Sequence, residues 1–174
     1  VLKCTFRWAV SEEAIAVSNM INDSYRGEQS KLGWTTEAHL LDGLRTTPQE
    51  ILGLINQVDS IILLCHCESE LLGSVHLEKH ADTAYLGMFV VRPTLQAKGI
   101  GKQLLQAAES EAKLNWQVNK AAMYVISARD ELLAFYERRG YIRTGVFRAF
   151  PVNPAMWQPK TENLQLELLE KHFA

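Results

Sequence analysis

The chain has 174 residues, 47% hydrophobic and 22% charged, the length and balance of one globular domain rather than of a disordered or fibrous chain. Its 18 basic and 20 acidic side chains give a net charge of −2, which argues against a nucleic-acid binder relying on an overall basic surface. No apolar run reaches the roughly 18 to 20 residues of a membrane span, and Cys4, Cys65 and Cys67 form no extracellular pairing pattern, so a cytoplasmic protein with neither nucleic acid nor membrane as partner is expected.

No repeat or Gly/Ser/Pro-rich linker divides the chain, so residues 1–174 read as a single domain of α/β (α+β) type. Leu2 to Trp8 has strand character. Ser11 is an N-cap candidate with Glu12 and Glu13 in the first turn, and Ala14, Val17 and Ile21 recur at helical spacing, which predicts a helix to Tyr25. A polar stretch leads to a second helical segment near Glu37 to Leu44, and Pro48 opens a helix to Asn56. Ser60 to Cys67, Leu71 to Lys79 and Thr83 to Val91 follow with short connections, the pattern of an antiparallel meander. Arg92-Pro93 ends the third strand. A long helix is predicted from about Lys98 to Leu114, a buried strand from Ala121 to Ser127, and a helix from Asp130 to Arg139 closed by Gly140. Tyr141 to Phe150 and Asn163 to Leu169 complete a mostly antiparallel sheet of about six or seven strands. The strand–helix–strand unit 83–127 makes its central pair parallel, with a right-handed crossover.

The segment from Val91 to Lys102 carries the strongest chemical signal. Glycines at 99 and 101 let an anion approach the backbone, and the following helix start offers unpaired N–H groups and a partial positive charge. Lys98 and Lys102 add cations to what reads as a pyrophosphate cradle. A P-loop is excluded because Gln103 follows Gly101-Lys102, and the dinucleotide fingerprint because Leu104 stands where its third glycine belongs. A plain glycine-rich turn remains the alternative on spacing alone.

In context, Val91-Arg92-Pro93 followed by Gln96-Ala97-Lys98-Gly99-Ile100-Gly101 resembles the acyl-CoA signature of the GNAT superfamily of N-acetyltransferases. Phe135-Tyr136-Glu137-Arg138-Arg139-Gly140-Tyr141 resembles that family's second motif, and the element order is similar over almost the whole chain. The resemblance implies a GNAT-type sheet whose parallel pair splays to admit acetyl-CoA as co-substrate. Gln96, Ala97, Lys98, Gly99, Ile100, Gly101 and Lys102 would hold its pyrophosphate, and the backbone of Phe89, Val90 and Val91 its pantetheine arm. Arg129, standing where relatives often have Asn, and Tyr136 would complete the cofactor site.

The implied activity is transfer of an acetyl group to a primary amine by direct attack in a ternary complex. Tyr136 is the candidate general acid, with core packing as its alternative role, and the oxyanion donor would be a backbone N–H of residues 88–90. Tyr85 and Tyr124 stand where relatives place a catalytic Glu, so the base is sought among Glu28, Glu37 and Glu78. Tyr25, Glu28, Trp34, Glu37 and Arg45 interleave aromatic, acidic and basic groups on the expected acceptor side, with the loop 150–157 as its opposite wall. His76, Glu78 and His80 could share a strand face as metal ligands or as a polar row, and no metal is expected. Residues 1–91 hold 6 basic and 12 acidic groups and residues 92–148 hold 10 and 5, which aligns positive charge with CoA and favours a cationic acceptor. A monomer or homodimer is expected. The altered base positions also leave open a non-catalytic acyl-CoA regulator or sensor.

Overall fold

A computed structural model describes residues 3–25, 41–93, 99–151, 157–159 and 164–173. The N-terminal strand β1 (Thr5–Trp8) leads through a 3-10 turn at Ser11–Glu13 into α1 (Ala14–Tyr25). Glu13 reaches back to the Val10 N–H at 3.0 Å and forks with Arg7, so the helix entry is tied to β1. Strand β2 (Leu41–Gly43) precedes α2 (Pro48–Asn56), whose N-cap Thr47 accepts from the Glu50 N–H at 3.1 Å. The meander follows as β3 (Ser60–Cys67), β4 (Glu70–His80) and β5 (Thr83–Val91). Glu68 and Ser69, both at positive φ, form the two-residue turn between the first two of these strands. Then come α3 (Ile100–Trp116), β6 (Lys120–Ile126), α4 (Asp130–Arg138), β7 (Ile142–Ala149), β8 (Trp157–Pro159) and β9 (Gln165–His172).

Seven strands form one sheet in the order β1-β3-β4-β5-β6-β9-β7, with β5 and β6 its parallel pair, as the crossover through α3 requires. Each face carries its own core. On one side Val17, Ile21 and Ile51 from α1 and α2 pack on Ile62, Leu64, Met88 and Val90. On the other, Leu104, Ala108, Leu133 and Phe135 from α3 and α4 cover Leu63, Val75, Leu77 and Phe89.

Two expectations need correction. Residues 41–43 of the expected helix 37–44 are strand, because they pair antiparallel with 157–159 in a two-stranded ribbon, a long-range partner that local periodicity does not reveal. Residues 37–40 lie outside the described residues. The second correction is β8 itself, in a segment read as loop. Element ends elsewhere differ by a few residues: the first strand starts at Thr5, and the last runs from Gln165 to His172.

Candidate active site

The site is created by two departures from regular sheet geometry. The parallel pair is joined only at Thr83, Ala84 and Tyr85 opposite Lys120, Ala121 and Ala122. Beyond that, among the described residues, β6 continues its ladder with β9 and the β5–β6 ladder stops, so a gap opens beside Leu86 to Val90 of β5. The second departure is a bulge on β5. Ser74 faces Val90 and His76 faces Gly87, so Met88 and Phe89 together oppose the single residue Val75. Met88 holds φ of 46°, a left-handed conformation rare for a side-chain-bearing residue and concentrated at functional sites. The Tyr25 hydroxyl, from the last turn of α1, donates to the Phe89 carbonyl and braces the bulge.

A cavity of about 760 Å³ occupies this gap and passes through the sheet. Its lining includes Phe89, Met123, Val125, Leu132 and Tyr136 from the α3/α4 face, and Tyr25, His76, Glu78, Tyr124 and Arg148 from the opposite face. Tyr136 is 4% exposed, packed edge-on against Phe89, Phe135 and Tyr141. Burial, with Tyr25 nearby, pushes its phenol pKa well up despite the opposing pull of Arg129, so the hydroxyl stays protonated. Arg129 is buried at the N-cap of α4 and lines the same chamber.

Across the gap, β4 presents His76, Glu78 and His80 on one face, all lining the cavity. The His76 ring nitrogen lies 2.8 Å from Ser60 Oγ, and burial lowers its pKa, keeping the ring neutral at pH 7. Burial would raise Glu78, but hydrogen bonds from His80 and from Gln57, the latter 2.8 Å, prevail and bring its pKa below the ordinary value. Glu78 is therefore an ionised carboxylate on the cavity wall. Among the described residues no group of His, Cys, Asp and Glu is arranged to hold a metal. No cysteine lines the cavity; burial raises the thiol pKa of Cys65 and Cys67.

The segment read in the sequence as an anion cradle meets the start of α3. Gly99, its N-cap, has φ of 80° and open space where a Cβ would stand, and its carbonyl accepts from the Gln103 N–H at 3.2 Å. The N–H groups of Ile100, Gly101 and Lys102 belong to the first turn of α3, where a helix start has no intrahelical acceptor for them.

A protein-family model described as an acetyltransferase (GNAT) domain matches residues 42–150. The chain belongs to the GNAT acetyltransferase family. A search of curated protein sequences gives no significant match. Among solved structures, the acetyltransferase is similar to the PaiA N-acetyltransferase of Thermoplasma acidophilum in complex with coenzyme A, with 20% identity and a TM-score of 0.65 over 99% of this chain and 100% of the other. It is also similar to the spermidine/spermine N-acetyltransferase SpeG of Vibrio cholerae, with 15% identity and a TM-score of 0.68 over 98% and 92%. An IAA acetyltransferase of Bacillus cereus matches with 14% identity and a TM-score of 0.67 over 98% and 100%. At these identities the likeness speaks for the fold.

Of the residues singled out in the sequence of this acetyltransferase, Tyr25, Arg45, Glu78, Phe89, Arg129 and Tyr136 line one cavity. Gly99, Ile100, Gly101 and Lys102 form the helix start, and Val90 and Val91 end β5 beyond its ladder with β6. Glu28, Trp34, Glu37, Gln96, Ala97 and Lys98 lie outside the described residues. Sequence reasoning missed Arg148 as a wall of the cavity and Met88 as the bulge. It also passed over Tyr85 and Tyr124, treated only as absent carboxylates: their rings stack at 6.5 Å across the gap. The alternation of β5 and β6 would have found that pair once register was known, and Gly87 inside the strand was the one local sign of a bulge at Met88.

Proposed function

We propose that this acetyltransferase moves the acetyl group of acetyl-CoA to the nitrogen of a primary amine by direct attack, with both substrates held at once. The observation that carries the reading is the cavity through the sheet, with a protonated, buried phenol at one end and an ionised carboxylate at the other. When bound, acetyl-CoA supplies the activated acetyl group as a thioester. In this reading Gln96 to Lys102 hold the pyrophosphate, and the backbone of β5 at Phe89, Val90 and Val91, beyond the ladder with β6, faces the pantetheine arm. A backbone N–H of residues 88–90, where the bulge leaves one residue out of the ladder, donates to the carbonyl oxygen. Tyr136 gives its proton to the departing sulfur, and Glu78 takes the proton lost by the amine. Glu28 and Glu37 are the other carboxylates proposed for that second role.

A thiol-release assay over a panel of primary amines tests the reading. Acetylation of at least one amine is expected, and Tyr136→Phe should lower kcat by about tenfold or more while CoA still binds. Tight CoA binding with no amine acetylated would replace the transfer reading with that of an acyl-CoA sensor. Unchanged turnover in the variant would remove Tyr136 from the chemistry.

A further inference from the structure

The cavity that carries Glu78 is also lined by two arginines, each seated on an aromatic ring. Arg45, between β2 and α2, holds its guanidinium carbon 5.6 Å from the ring centroid of Tyr25 on the β5 side. Arg148, on β7, holds its own 3.7 Å from the ring centroid of Tyr124 on the β6 side. Stacking on an aromatic face fixes the plane of a guanidinium and leaves its in-plane N–H donors outward. Elsewhere Arg7 forks with Glu13 and Arg143 reaches Glu167 at 2.6 Å, while Arg92 and Arg139 donate to the main-chain carbonyls of Leu71 and Phe135. Among the described residues neither Arg45 nor Arg148 has an acid partner. Two oriented guanidinium forks opening on one chamber match a carboxylate or phosphate-type anion.

The same chamber contains a single carboxylate among its described lining residues, Glu78, beside His76 and His80. It therefore offers one site for an amine and two for an acid. We infer that the acceptor is a small amphoteric molecule, an amine that also carries an anionic group, held by Arg45 and Arg148 with its nitrogen toward Glu78. This rests on the acetyl-transfer reading of the cavity and deepens it. It also reverses the expectation of a cationic acceptor drawn from the acidic first half of the chain. Glu13, one of the acidic residues counted there, is neutralised by Arg7 outside the cavity. A volume of about 760 Å³ suits a small molecule.

The test uses the full chain with CoA present and matched probes: phenylalanine, its aminophosphonate analogue, and phenethylamine, then the same series with other side chains. Binding is read by calorimetry and transfer by thiol release. Within at least one series the acid-bearing amines should bind about tenfold or more tighter than the plain amine, with carboxylate and phosphonate members ranked against each other. Arg45→Gln and Arg148→Gln should each shrink that ratio by about tenfold, leaving the KM for acetyl-CoA and the melting temperature unaltered. Plain amines binding as tightly in every series, an undiminished ratio in both variants, or a loss confined to acetyl-CoA would overturn the inference. Acid-selective binding without any thiol release would instead overturn acetyl transfer and leave the anion site standing.

Discussion

Glu78 and Tyr136 divide the proposed proton traffic by opposite physical means. Burial holds the phenol protonated, whereas hydrogen bonds to His80 and Gln57 hold the carboxylate ionised against its own partial burial. An alkylammonium of pKa about 10.4 is almost wholly protonated at pH 7, so a positioned base matters most there and least near pH 10, where free amine is abundant. Glu78→Gln should therefore lower kcat/KM by about a hundredfold at pH 7 and by much less at pH 10. A loss of equal size at both values would assign Glu78 to acceptor positioning instead. The neighbouring His76 is neutral at pH 7 because burial disfavours its charged form, so it adds no positive charge to that wall of the cavity.

At the scale of elements, the approach of β4 to β5 is set by a glycine. A Cβ on Gly73 would stand 2.5 Å from the Val90 carbonyl oxygen, a backbone atom next to the bulge. Gly73→Ala should cost about 1 to 3 kcal/mol, measured as a lower urea midpoint, and should reduce turnover further because the strand that must move carries the site. Full activity with full stability would show that the bulge tolerates displacement. The meander, the crossover helix and the helix that carries Tyr136 were legible in sequence because each writes its period locally: alternating Leu77 and Leu86 faces, Leu104 and Ala108 a turn apart, Gly140 after Arg138-Arg139. The helix start at Gly99 was legible for a related reason, since an anion cradle needs residues of a particular kind at a particular place. The ribbon of β2 with β8 and the bulge at Met88 were not, because both depend on partners distant in sequence, and Gly43, Pro159 and Gly87 beside them do not say which partners those are. Arg148 is a third case, as its side of β7 is fixed only by a register that shifts between Arg143 and Phe147.

At the scale of the whole molecule, a buried polar group fastens the α3/α4 face to the far end of the sheet. Glu109 on α3, only 7% exposed, accepts from the Tyr141 hydroxyl at 2.9 Å and from Lys171 Nζ on β9 at 2.9 Å. Burial and the adjacent carboxylate push the Tyr141 pKa up, so this donor stays protonated. Lys171→Met should destabilise the protein by about 1 to 3 kcal/mol by leaving a buried charge half satisfied, and adding Glu109→Gln should recover part of the loss. Strictly additive losses would mean that the two side chains do not act together. The sheet this group helps to hold is in effect two leaves, β1-β3-β4-β5 and β6-β9-β7, stitched edge to edge through three residue pairs. An extended molecule lying along β5 beyond those three pairs would lengthen that seam. A ligand that binds only the folded state adds to its stability in proportion to the logarithm of its concentration. Were acetyl-CoA to bind as proposed, the persistence of the folded protein would be coupled to the supply of that co-substrate, and a shortage would loosen the seam while the site was still largely filled.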